Sequence, residues 1–198
     1  MAALEKRRLR VLCLHGYLSS SDAFAPAVKD FTADLQDLIV CECPPHDGMW
    51  WMPSTDGVSA DPRGALGWEK SVATLVPLLT ESDFDGVLGF SQGAAMAAVL
   101  CALHPKKLRF CILACGFTAV GTNIPGLGEG EDAPKIKIPS FHLIGERDTS
   151  VPPEIAGHLA SRFEDPTVVR HGGGHWMPKD RSVTNELRVF LESLAPPR

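Results

Sequence analysis

The amino-acid sequence predicts an α/β fold, a mostly parallel six-stranded sheet with helices on both faces, and two observations carry that expectation. Six short apolar runs alternate with helical stretches along the 198 residues, the repeated βα rhythm of a sheet whose connections cross over its faces. The runs are also apolar almost continuously, as strands are when both faces of the sheet are covered. Strands are expected at Leu9 to Leu14, Leu38 to Cys43, Gly86 to Phe90, Phe110 to Cys115, Ser140 to Gly145 and Thr167 to Arg170. Helices are expected near Ser21 to Leu35, Leu66 to Leu79, Gln92 to Leu103, Pro153 to Phe163 and Arg181 to Leu194.

Taken in chain order, the first run ends in His15-Gly16-Tyr17-Leu18-Ser19-Ser20, a turn in which the serines serve loop structure and capping of the first helix. The second run opens into Pro44-Pro45-His46-Asp47-Gly48-Met49-Trp50-Trp51-Met52-Pro53, a Pro-, Gly- and aromatic-rich segment that breaks the βα rhythm through residue 65. The third run is followed by Gly89-Phe90-Ser91-Gln92-Gly93 and then by Ala94-Ala95-Met96-Ala97-Ala98. Strand, sharp turn and helix in succession hold a serine hydroxyl above the sheet edge, and glycines two residues either side let strand and helix approach. Such a hydroxyl needs a base and an acid to act as a nucleophile.

Both follow. The fifth run leads into Glu146-Arg147-Asp148-Thr149-Ser150-Val151-Pro152, and the sixth into His171-Gly172-Gly173-Gly174-His175-Trp176-Met177-Pro178. Asp148 is the expected acid, because the prolines after it fix the loop, with Glu146 expected to face solvent. His175 is the expected base, because three glycines free its loop to reach Ser91, which His171 lacks. Ser, Asp, His is the chain order of α/β-hydrolases. Their fold arranges the six expected strands as 2-1-3-4-5-6 across the sheet. In such a fold the backbone amides of Tyr17 and Gln92 are the candidate oxyanion hole. His15 is expected to shape its turn without touching substrate.

The segments 44–65 and 117–136 follow strands at the C-terminal edge of the sheet, so they are expected to cover the pocket of a single domain spanning residues 1–198. Trp50, Trp51, Met52, Phe117, Trp176 and Met177 are the candidate substrate-binding residues, flat rings and thioethers being good walls for an acyl chain.

Composition narrows the function classes. A net charge of −5 and a pI of 5.8 leave no basic stripe for a nucleic-acid partner. The Lys6-Arg7-Arg8 cluster precedes only a six-residue strand, so neither a signal peptide nor stable membrane insertion is expected, and a cytoplasmic location is. The six cysteines fall in or beside apolar segments and read as small core residues. Neither a metal nor a cofactor is expected, since the histidines and cysteines lack ligand spacing and acyl transfer needs none.

The segments VLCLHGY, GFSQGAAMAAVLCAL, SFHLIGERDTSVP and HGGGHWMP, with GWEKSVATLVPLL between the first two, resemble the fungal-type serine hydrolase family. The resemblance runs from about Leu9 to about Leu194 and implies a carboxylesterase or thioesterase with a small-molecule acyl substrate. It carries the family's catalytic residues onto Ser91, Asp148 and His175. The stretch from Pro44 to Gly67 looks shorter than in animal members, and it would line the pocket mouth. Two rival readings use the same residues: an enzyme similar to acyl-protein thioesterases and lysophospholipases, or a hydrolase-fold receptor with little turnover.

Overall fold

The computed structural model describes residues 7–53, 65–120, 123–128 and 134–194. In chain order the strands are β1 Leu9–Leu14, β2 Ser19–Ser20, β3 Ile39–Glu42, β4 Asp47–Gly48, β5 Gly86–Phe90, β6 Phe110–Ala114, β7 Ser140–Gly145 and β8 Thr167–His171. The helices are α1 Ser21–Phe31, α2 Trp68–Glu81, α3 Gln92–Leu103, α4 Pro153–Ser161 and α5 Arg181–Ser193. Six strands form one parallel sheet in the order β3-β1-β5-β6-β7-β8, which is 2-1-3-4-5-6 when those six are counted along the chain. The sequence pattern did not point to β2 and β4, two residues each, which pair antiparallel beside it.

Alternation along each strand divides the core. On β1, Leu12 and Leu14 face α2, α3 and α4, while Val11 and Cys13 face α1 and α5. Helix α3 is buried from Gln92 through Cys101, and its alanines let it lie close on the sheet. Helix α5 instead buries one stripe, Val183, Thr184, Leu187, Phe190 and Leu191, and its first turn is capped by the Asp180 carboxylate, which accepts from Ser182 N at 2.9 Å. At the N-terminal edge of the sheet, buried Asp85 accepts both guanidinium nitrogens of Arg7 at 3.0 Å and the amide of Arg10 at 2.8 Å.

Several helix boundaries differ from the sequence expectation by one to four residues, two of them for a visible reason. Helix α1 stops at Phe31 and not Leu35, because the Thr32 hydroxyl donates back to Val28 O at 2.8 Å and the chain tightens into a 3₁₀ turn over Ala33–Leu35. Helix α2 starts at Trp68 and not Leu66, because Gly67 takes the left-handed conformation (φ 78°) and Leu66 pairs with Met52 instead. Parts of both expected covering segments, residues 54–64, 121–122 and 129–133, lie outside the described residues. The loops after β1, β3, β5, β6, β7 and β8 all leave the same edge of the sheet.

His142 on β7 is buried, its Nε2 3.1 Å from Ser140 Oγ and its ring edge-on to Phe163, and burial pulls its pKa down to about 3. An imidazole that is neutral when folded and free to protonate near 6.5 when unfolded contributes stability above that pH, lost as pH falls toward 3 by about 1.4 kcal/mol per unit. Denaturant midpoints between pH 7 and pH 4 should therefore fall less steeply in His142→Leu than in the parent; parallel slopes would contradict this.

Candidate active site

The turn from β5 into α3 is built around Ser91, whose backbone takes φ 55° and ψ −118°. A non-glycine residue holds that conformation only where its surroundings over-determine it. Ser91 N donates to Ala114 O at 2.9 Å, and Ser91 O accepts from Ala94 N at 3.0 Å and Ala95 N at 3.1 Å. A Cβ at Gly89 would collide with Gly93 O and the Ala94 backbone, and one at Gly93 with the carbonyls of Leu14 and His15. Both positions must be glycine for β1, β5 and α3 to meet here. The hydroxyl consequently projects from the C-terminal edge of the sheet.

His175 reaches that hydroxyl from the loop after β8: its Nε2 is 2.9 Å from Ser91 Oγ. Its Nδ1 is 2.7 Å from Asp148 Oδ2. The other carboxylate oxygen of Asp148 accepts from Ser150 N at 2.9 Å and Val151 N at 2.8 Å, which locks the acid in place. With Asp148 an acceptor, Nδ1 carries the ring proton and Nε2 is left to accept. Glu146 is exposed, as expected. His171 ends β8 and turns away: its Nδ1 accepts from Gly173 N at 3.3 Å, its Nε2 is buried without a partner among the described residues, and burial lowers its pKa so that it stays neutral.

The loop after β1 lies against the nucleophile, a Cβ at Gly16 falling 3.5 Å from Ser91 Cβ. That contact brings Tyr17 to the same edge as Gln92, the first residue of α3, where helical amides have no acceptor within the helix. The Gln92 side chain does more than the sequence suggests. Its Oε1 accepts from Trp50 N at 2.9 Å and its Nε2 donates to Trp51 O at 3.0 Å. Trp50 Nε1 in turn donates to His15 O at 2.8 Å. His15 Nδ1 donates to Gly16 O at 2.8 Å, leaving Nε2 to accept from His46 Nδ1 at 2.8 Å, and the His46 ring stacks on Trp50 at 3.9 Å. Burial, and secondarily His15, hold His46 below the usual histidine pKa, which keeps it neutral. Sequence reasoning missed His46 and the Gln92 side chain; no spacing signal marks contacts between loops 31 to 42 positions apart, although the uncharged amide directly after Ser91 was a hint.

The expected substrate-binding residues divide. Trp50 is buried and stacked, an anchor for its loop. Trp51 is buried edge-on to Phe117, its Nε1 without a partner among the described residues. Met52 and Trp176 are more than half exposed, at 54% and 53%, and Met177 is half-buried against the α1–α5 face of the core. One further side chain, not singled out beforehand, stands behind the histidine: Cys115, at φ 50° just after β6, donates from Sγ to Trp176 O at 3.8 Å. Burial and the neighbouring Asp148 push its thiol up to about 12.

Residues 41–187 match the family described as Serine hydrolase (FSH1). The chain belongs to that serine hydrolase family. It is 32% identical over 224 aligned residues to Esterase OVCA2 of Xenopus tropicalis, covering 97% of this chain and 94% of the relative. To Esterase GA18864 of Drosophila pseudoobscura it is 31% identical over 86% of this chain, which spans 66% of that relative's length. Its fold is also that of solved α/β-hydrolases, among them a carboxylesterase from Mesorhizobium loti (TM-score 0.68, 17% identity, 96% and 90% of the two chains) and SOBER1 of Arabidopsis thaliana (TM-score 0.65, 18% identity, 94% and 98%). Family membership makes this chain a serine hydrolase, and its fold is the α/β-hydrolase fold. Among the described residues no helix is long and apolar enough to cross a membrane.

The two candidate acids and the two loop histidines can be told apart by turnover. Asp148→Asn should lower kcat by up to about 10⁴-fold by favouring the wrong imidazole tautomer, while Glu146→Gln leaves it within a few fold. His175→Ala should lose activity by orders of magnitude and His171→Ala far less. Inverted rankings in steady-state ester assays would show that the relay has been misassigned.

Proposed function

We propose that this serine hydrolase cleaves carboxylic ester or thioester bonds of medium to long acyl chains through an acyl-enzyme on Ser91. The observation that carries the reading is the unbroken relay from Ser91 Oγ through His175 to Asp148, with contacts of 2.9 and 2.7 Å. His175 Nε2 takes the Ser91 proton as Oγ attacks the acyl carbonyl, and Asp148 stabilises the imidazolium that forms. The amides of Tyr17 and Gln92 receive the developing oxyanion, where a missing donor costs about 3 kcal/mol of transition-state stabilisation. His175 then protonates the departing alcohol or thiol. Water activated by the same ring hydrolyses the acyl-enzyme, and no step calls on a cofactor.

Chain-length preference follows from the apolar surroundings. Trp51 and Phe117 supply ring edges and faces, and Met52, Trp176 and Met177 supply walls nearer solvent. Each methylene buried there contributes about 0.8 kcal/mol, nearly fourfold in kcat/KM, so a decanoyl ester should be preferred over an acetyl ester.

Two experiments test this reading. A fluorophosphonate probe should label the parent protein on Ser91, and Ser91→Ala should lose both labelling and hydrolysis; labelling that survives points to another nucleophile. Met52→Ala and Trp176→Ala, at exposed positions, should erode the preference for decanoyl over acetyl esters while acetyl turnover stays roughly intact. Trp50→Ala should instead reduce both alike and lower the melting temperature, at a stability cost of about 3–5 kcal/mol. Uniform losses at all three positions would mean that none of them meets the chain.

A further inference from the structure

Hydrolysis at Ser91 leaves Cys115 without a part. Its backbone is pinned by Cys115 N donating to Leu143 O at 2.8 Å, and its thiol is buried beside Asp148, the carboxylate that holds His175. Cys115 Sγ, a carboxylate oxygen of Asp148 and a ring nitrogen of His175 all lie within 4.8 Å of one another. Thiolate, carboxylate and imidazole together make a donor set for a borderline-soft cation that prefers tetrahedral geometry. Tetrahedral zinc separates such ligand atoms by roughly 3.4–3.6 Å, so side-chain adjustments of about 1 Å would close the site.

We propose that the protein carries an inhibitory site for a thiophilic divalent cation such as Zn²⁺, formed by Cys115 Sγ, an Asp148 carboxylate oxygen and His175 Nδ1, with water in the fourth position. The proposal rests on the reading of His175 as the base. Hydrated Zn²⁺ gives up waters, the Cys115 thiol releases its proton to solvent, and the proton on His175 Nδ1 moves to Nε2 as the metal takes its place. One thiolate, one carboxylate and a neutral ring then balance the two charges of the metal, so the buried cluster carries no net charge. The inhibition follows from the tautomer: Nε2 now bears a proton and cannot accept one from Ser91. Asp148 and Cys115 are buried while the His175 side chain is about a quarter open (23%), so entry requires that ring to swing aside and onset is slow. No sequence spacing betrays the site, because its ligands come from the ends of β6, β7 and β8.

The test uses the purified full chain in chelator-free buffer. With ZnCl₂, turnover of a decanoyl ester should decay over minutes and return with EDTA, and Co²⁺ should produce a thiolate-to-cobalt charge-transfer band. Cys115→Ser should keep zinc-free turnover, need about tenfold or more zinc for equal inhibition, and lose the band. Cys115→Gly, which suits the positive φ, serves as a second variant should the serine fail to fold. Absence of zinc inhibition in the parent overturns the proposal. So does equal sensitivity in the variants with the band retained, which would put the metal on other thiols, the neighbouring Cys13, Cys41 and Cys43 among them. Absence of ester turnover without zinc would count against the hydrolytic reading instead; the cobalt band, which needs no turnover, judges the site separately.

Discussion

The backbone of Ser91 turns the chain from strand to helix in a conformation that costs on the order of 1–3 kcal/mol, and the surrounding contacts hold it there. Its amide is tied to Ala114 O on the neighbouring strand, its carbonyl opens the hydrogen bonding of α3, and the absent Cβ atoms of Gly89 and Gly93 let three main chains meet. Everything at the site takes its place from this turn. Helix α3 can run back over the sheet because Gly93, Ala94 and Ala95 are small, so its first residue follows the nucleophile at the edge where the hydroxyl stands. The loop after β1 can lie alongside because Gly16 and Gly93 leave room for it.

Around that turn the loops are joined into one frame. Gln92 grips the backbone of Trp50 and Trp51, Trp50 holds the carbonyl of His15, and His15 shares a hydrogen bond with His46, whose pKa burial holds below the usual histidine value. The candidate oxyanion donors and the apolar walls therefore belong to the same network. A change in the tryptophan loop would be felt at the oxyanion position through Gln92, without any contact to the histidine or the acid.

Much of this was legible in the sequence for physical reasons. Parallel strands covered on both faces write themselves as unbroken apolar runs, and the sheet order followed from the fold implied by Ser91, Asp148 and His175 in that order. Boundaries were less legible where a single residue decided them: a left-handed Gly67 delays α2, and the Thr32 hydroxyl ends α1 early. Side-chain contacts across loops were hidden altogether. His46 reaches His15 across 31 positions of chain, and Cys115 meets Asp148 and His175 only because three parallel strands end at one edge. The burial of Trp50 and Trp51 was equally hidden, since the Gln92 clamp and, for Trp50, the stacking on His46 draw them into the core.

In the proposed hydrolysis Ser91 carries the acyl group during turnover. Mixing the protein with a decanoyl thioester, quenching in acid within milliseconds and mapping the peptides by mass spectrometry tests it most directly. One decanoyl group per chain is expected, attached to the peptide that contains Ser91 and disappearing as product accumulates. Product formation with no acylated peptide, or with the acyl group on another residue, would contradict it.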